Sequence, residues 1–170
     1  RLEPVRQFGA DRLPPLRRTY VPFVPDGIGA GSASKTNRDE AEAIVAQIID
    51  CVTDPAYVRA DGTPMTMGVI SLLGPAQANL IQQRLLAELD TQTLSERHLH
   101  VGDAADFQGD ERDIIFLSMV KTPSGGGVRV PKLGHDRDSR RFNVAASRAR
   151  DQLWLFHSLT LDELRPDCPR

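Results

Sequence analysis

Between residues 41 and 52 the apolar positions fall at Ala41, Ile44, Val45, Ile48, Ile49 and Val52. Three- and four-residue spacing of this kind lays one stripe along one face of a helix. Asn37 followed by Arg38-Asp39-Glu40 fits a capping box, in which the cap and the third residue satisfy each other's free backbone N–H groups. Pro55 closes the segment. Residues 67–73 (MGVISLL) and 113–120 (DIIFLSMV) are instead short, nearly continuous apolar runs, which predict buried strands. A second helix starts at Pro75, a favoured first-turn residue, with a stripe of Ala76, Leu80, Leu85 and Leu89 thickened by Ile81 and Leu86. Shorter strands are expected at 19–24 (TYVPFV), where Pro22 favours a sheet edge, at 98–102 and at 152–157 (QLWLFH). A short helix is expected over 140–149, and loops over 25–36, 56–66 and 121–138. Strands alternating with helices, and apolar on both faces, point to a parallel α/β sheet. Such sheets ordinarily bind ligands at the carboxyl ends of their strands. Residues 1–18, Pro- and Arg-rich, read as a lead-in from a preceding domain, 19–160 as the α/β domain, and 161–170 as the start of an extension.

Composition narrows the class. Hydrophobic residues make up 40% and charged residues 26%, enough for an ordinary core and unlike a disordered chain. No apolar stretch reaches the roughly 18–20 residues of a membrane span, and the first residues lack a signal-peptide run, so no membrane partner is expected. Cys51 and Cys168 stand far apart with no ligand at zinc spacing. A reducing cytoplasm is the expected compartment. The net charge of −2 hides an asymmetry: residues 36–120 carry five Arg against fourteen acids, and residues 121–150 eight Lys/Arg against two. A basic stretch of that kind attracts polyanions, although a solvated loop would look the same.

Residues 29–36, GAGSASKT, nearly match the phosphate-binding pattern G-x-x-x-x-G-K-[ST]. Ser34 stands where glycine lets the backbone wrap a phosphate. The apolar strands end at Leu73-Gly74, Val120-Lys121 and His157-Ser158, without an acid to hold Mg²⁺. Both points argue against a working phosphate loop here.

Two other segments are more specific. Asp106-Phe107-Gln108-Gly109-Asp110-Glu111-Arg112-Asp113 runs into Ile114-Ile115-Phe116-Leu117-Ser118. Arg140-Arg141-Phe142-Asn143-Val144-Ala145-Ala146-Ser147-Arg148-Ala149-Arg150 runs into Leu153-Trp154-Leu155-Phe156. In order and spacing they resemble motifs V and VI of superfamily 1 helicases of the Upf1-like branch, and Gly68-Val69-Ile70-Ser71 with Ala76-Gln77 resembles motif IV. The resemblance covers about residues 67–157 and is also similar to bacterial members fused to a very-short-patch-repair-type nuclease; no nuclease residues lie in this chain.

The resemblance implies a RecA-like α/β domain, mostly parallel with helices on both faces and without its own phosphate loop or Mg²⁺ carboxylates. It would be the second motor domain of an ATP-driven helicase or translocase. ATP and Mg²⁺ would be bound jointly with an N-terminal RecA-like domain of the same polypeptide. Arg148 would be the arginine finger; its plain alternative is an ion pair with one of the many acids of the middle segment. Gln108, Gly109, Glu111 and Arg150 complete the nucleotide-facing set. Glu111 would accept from ribose hydroxyls or be a simple surface charge. Gly109 would serve the nucleotide or only the turn. Arg150, two residues past Arg148 on a helix, would face elsewhere, toward a salt bridge or nucleic acid. Asn143 would fasten the second segment to the first. Single-stranded nucleic acid, DNA before RNA, would run over Ser71, Gln77, Phe107, Ser118, Lys121, Arg129 and Lys132. Two departures weaken the match. Pro75 replaces an arginine that many members carry, with Arg84 as a possible substitute, and Asp103 stands where a hydroxyl would meet a phosphate. A non-catalytic α/β module that binds nucleic acid or a partner, and a degenerate phosphate-loop phosphotransferase, are the alternative functions.

Overall fold

Asn37 begins the first helix, α1 (Arg38–Thr53), with its side chain accepting the Glu40 N–H at 3.0 Å. Ala41, Ile44, Val45 and Ile48 are buried along one face, as the spacing predicts. Only half of the capping box forms. The Asn37 N–H donates to Gln77 Oε1 at 2.8 Å, and the Glu40 side chain is buried. This is seen in a computed structural model, which describes residues 13–24, 36–123 and 142–163.

Five strands are present in the described residues: β1 (Leu16–Tyr20), β2 (Met67–Ser71), β3 (His100–Asp103), β4 (Arg112–Ser118) and β5 (Ala149–His157). They form one sheet in the order β1-β5-β4-β2-β3, and every pairing is parallel. The helices α2 (Pro75–Glu88) and α3 (Thr91–Glu96) lie between β2 and β3 in the chain. One side of the sheet packs on α1 and α2, with Ile44, Ile48, Ile81 and Leu85 against Met67, Val69, Ile114, Phe116, Trp154 and Phe156. The other side is closed by the turn at 104–107 and a helical stretch at 142–146. There Phe107, Ala104 and Ala145 meet Ile70, Ile115 and Leu117. Burial on both faces is why β2 and β4 read as unbroken apolar runs. This is a RecA-like α/β sheet, and no described helix is long and apolar enough to cross a membrane.

Several boundaries differ from the sequence expectation, each for a tertiary reason. The first strand lies at Leu16–Tyr20, not 19–24. Its backbone follows β5: Leu153 N–H donates to Pro15 O and Val21 N–H to His157 O. Pro22, lacking an N–H, cannot extend the ladder. The expected edge position holds, but the sheet reaches into residues assigned to the lead-in. Arg17, an unlikely strand residue by type, places its guanidinium 5.5 Å from the Trp154 ring centre. The last strand starts at Ala149, so Arg150 is in a strand rather than a helix. Helix α3 has no buried residue and hence no stripe to read; Asp90 caps it by accepting the Thr93 N–H at 2.8 Å. β3 ends in Asp103, so one strand does end in an acid, but its Oδ1 accepts the Ala105 and Asp106 N–H groups of the next turn. The phosphate-loop look-alike, apart from Thr36, lies outside the described residues, as does Gly125-Gly126-Gly127.

Candidate nucleotide-facing site

The two segments singled out in the sequence meet at the amino ends of β4 and β5. The connection leaving β3 turns back across the sheet, and Phe107 anchors it. That ring is fully buried and lies 4.7 Å from the His100 ring, centre to centre. It also fills the space above Gly68, where a Cβ would come within 2.7 Å of Phe107 Cε1. Gln108 N–H then donates to Ala105 O and Asp110 N–H to Phe107 O. Gly109 sits at φ +86° in open space. The glycine therefore serves the turn's backbone conformation, not a close approach within this chain. From there Glu111 leads into β4, which starts at Arg112.

The second segment arrives alongside. Arg112 pairs with Ala149 in the sheet register, and its N–H donates to Arg148 O at 3.0 Å. That bond, not Asn143, fastens the segments: Asn143 is exposed and its side chain makes no hydrogen bond among the described residues. Because Arg150 lies in β5, it points to the neighbouring strand entry, where its Nε donates to Glu111 Oε2 at 3.1 Å. Both partners are about half exposed. Arg148 is different. Among the described residues its half-buried guanidinium meets only neutral acceptors, with Nη2 donating to Ser147 Oγ at 2.9 Å and Nε to Val144 O at 3.2 Å. No carboxylate pairs with it among the described residues. Arg112, like Arg150, is committed, being ion-paired with Asp110 and donating to His98 O. Gln108, Gly109 and Glu111 are exposed beside it. The described residues of the corner thus offer one cation without a carboxylate partner among them, one accessible carboxylate and an exposed amide. An anion with hydroxyl groups fits that set, with the cation toward the anion and the carboxylate toward hydroxyl donors. These candidate residues gather at the amino ends of β4 and β5, away from the carboxyl ends where parallel sheets ordinarily bind ligands.

The expected nucleic-acid contacts fare differently. Ser71, Gln77, Phe107 and Ser118 are buried, so in this conformation none presents a surface to a strand. Gln77 and Ser118 belong to an internal polar network at the carboxyl end of β4. Gln77 Nε2 donates to Asn37 O and Ser118 Oγ. Ser118 Oγ donates to Glu40 Oε1 at 2.5 Å, and Val120 N–H to the same oxygen at 2.9 Å. Asn37 Nδ2 reaches Ser158 Oγ at 2.8 Å. Burial pushes the Glu40 carboxyl from 4.5 up to about 7, against the pull of the Ser118 hydroxyl and the Val120 N–H. Val120 is held at φ +67°, a conformation that β-branched residues rarely adopt. The sequence showed Glu40 only as a helix-start residue; its acidic type behind an asparagine cap gave no sign of burial. Lys121 is half-buried beyond this network, and Arg129 and Lys132 lie outside the described residues. Arg84 sits 3.5 Å from Glu42, tying α2 to α1.

Comparison with known proteins agrees with this architecture. A family model described as an AAA domain matches residues 24–159. A regulator of nonsense transcripts 1 homolog from Arabidopsis thaliana is 31% identical over 131 residues, 77% of this chain and 10% of the relative. Helicase sen1 from Schizosaccharomyces pombe is 33% identical over 130 residues, 76% of this chain and 7% of the relative. RNA helicase aquarius from Mus musculus is 32% identical over 125 residues, 74% of this chain and 7% of the relative. The chain spans a tenth or less of the length of these curated relatives. With the parallel sheet and the family match together, the chain belongs to the AAA domain family and is a superfamily 1 helicase domain.

Proposed function

We propose that this chain is the second motor domain of an ATP-dependent helicase or translocase, and that its amino-edge corner forms one wall of the nucleotide cleft. The observation that carries this reading is Arg148: a cation with no carboxylate partner among the described residues, whose backbone is bonded to Arg112 at the end of the segment carrying the exposed Gln108, Gly109 and Glu111. Other arginines of the described residues are committed to the fold: Arg59 holds Asp113 and Arg112 holds Asp110, and the buried Arg97 donates to the Tyr57 and Val52 carbonyls, whereas the Arg148 guanidinium is bound only within its own turn. In this reading Arg148 is the arginine finger, offsetting the charge that develops on the transferred phosphoryl oxygens. Glu111 takes the ribose hydroxyls, and Arg150 keeps its carboxylate oriented. ATP supplies the phosphoryl group when bound. Its phosphate loop and the Mg²⁺ carboxylates belong to an N-terminal RecA-like domain of the same polypeptide. The described residues contain no group of three or more potential metal ligands.

The track is single-stranded nucleic acid. The sequence points to DNA before RNA, whereas the Mus musculus relative is named as an RNA helicase, so both strands belong in the assay. The buried Ser71, Gln77, Phe107 and Ser118 are not part of the proposed contact surface. Lys121, at the start of the basic stretch, is the described residue that remains in it. The test is ATP hydrolysis by the full-length polypeptide with and without single-stranded DNA or RNA. Arg148→Ala is expected to lower kcat by about 10³-fold or more while ATP binding and the melting profile are kept. Equal hydrolysis by wild type and variant would refute the reading. Strand binding by a wild type that hydrolyses no ATP would favour a non-catalytic binding module.

A further inference from the structure

We infer that Ser147 is a positioning residue for Arg148, holding its guanidinium in a rest position from which a phosphate can take it. The inference rests on the reading of Arg148 as the finger. The helical stretch ends at residue 146, and Ser147 N–H closes the turn onto Asn143 O at 3.0 Å. The exposed Ser147 hydroxyl donates to Val144 O at 3.0 Å, which directs its lone pairs outward. Those lone pairs accept Arg148 Nη2 at 2.9 Å and Nε at 3.3 Å. Nε also reaches Val144 O. Two of the three guanidinium nitrogens are thus held by neutral oxygens of the same turn, and Nη1 makes no hydrogen bond among the described residues.

A neutral tether has a specific consequence. It restricts a long, rotamer-rich side chain, so less ordering remains to be done when a phosphoryl group arrives. It is also weak enough to give way, because its acceptors carry no charge, whereas a phosphoryl oxygen adds the attraction of opposite charges to the same N–H donors. A carboxylate at the same place would hold the cation and neutralise it. Serine orders the arginine without consuming its charge.

The experiment compares Arg148→Ala, Ser147→Ala, Ser147→Thr and Ser147→Asp in the full-length polypeptide, measuring strand-stimulated ATP hydrolysis alongside melting temperature. Ser147→Ala is expected to lower kcat about fivefold, the effect of leaving one rotamer-rich side chain to be ordered during the reaction, with KM for ATP and the melting temperature unchanged. Ser147→Thr, which keeps the hydroxyl, should restore most of the rate. Ser147→Asp should fall further than Ser147→Ala, and rising ionic strength should recover part of that loss, since an exposed ion pair is screened. A wild-type kcat in Ser147→Ala, or a Ser147→Asp no worse than Ser147→Ala, while Arg148→Ala still collapses, overturns the inference about Ser147 alone. An active Arg148→Ala overturns the finger reading and this inference with it.

Discussion

Glu40 offers the sharpest test of the fold's internal chemistry. Its carboxylate is fully buried at the junction of α1, α2, β4 and β5. Its hydrogen-bond partners, Ser118, Val120 and Asn37, are all uncharged. Burial raises its pKa from 4.5 to about 7. In the unfolded chain the group ionises from about pH 4.5 upward, whereas in the folded protein it holds its proton to about pH 7. The folded state therefore binds the extra proton, and the resulting stability is complete below about pH 4.5 and lost as pH rises through about 7. A pKa difference of this size corresponds to about 3 kcal/mol. For a chain of this length that is a fall in melting temperature of about 6–12 °C between about pH 5 and about pH 8. The carboxylates held low, such as Asp110 beside Arg112, lose their contribution only at lower pH, outside this window. Glu40→Gln removes the titration while its carbonyl can still accept from Ser118 and Val120. Thermal melts followed by Trp154, which stacks with Phe156, should then be nearly flat across this range. A variant that keeps the wild-type slope would show that another group carries the pH dependence and that Glu40 is charged or solvated throughout.

Two further outcomes follow from the packing and from the corner site. Gly68→Ala drives a Cβ into the Phe107 ring, an overpacking worth about 1–3 kcal/mol, visible as a melting temperature lower by several degrees; an unchanged melt would mean that the turn over β3 and β4 is not anchored by Phe107. Glu111→Ala breaks only a half-exposed ion pair with Arg150, which contributes at most about 1 kcal/mol after solvent screening. Its melt should barely move while KM for ATP rises, and a loss of stability with unchanged KM would make the pair structural.

The helix over Arg38–Thr53, the buried strands β2 and β4, and the Pro75 helix start were legible because each reports its own burial by local period. The two site segments were legible through their resemblance to motifs V and VI of superfamily 1 helicases, whose residue types and spacing they keep. What the sequence alone determined was thus the alternation of elements and the identity of Gln108, Gly109, Glu111 and Arg148 as a candidate set. Tertiary structure decided where that set lies. The β3–β4 connection folds back over Phe107, carrying the site to the amino ends of β4 and β5. The same packing turned Phe107, Ser71, Gln77 and Ser118 inward, and made Glu40 a buried acid rather than half of a capping box. It also placed Arg17 in an edge strand with no apolar pattern of its own, held by β5 and the Trp154 ring. Local period records only which face of an element avoids water. Which neighbour covers that face, and which polar side chain is trapped beneath it, depends on residues distant in the chain: 78 positions separate Glu40 from Ser118, and 39 separate Arg150 from Glu111.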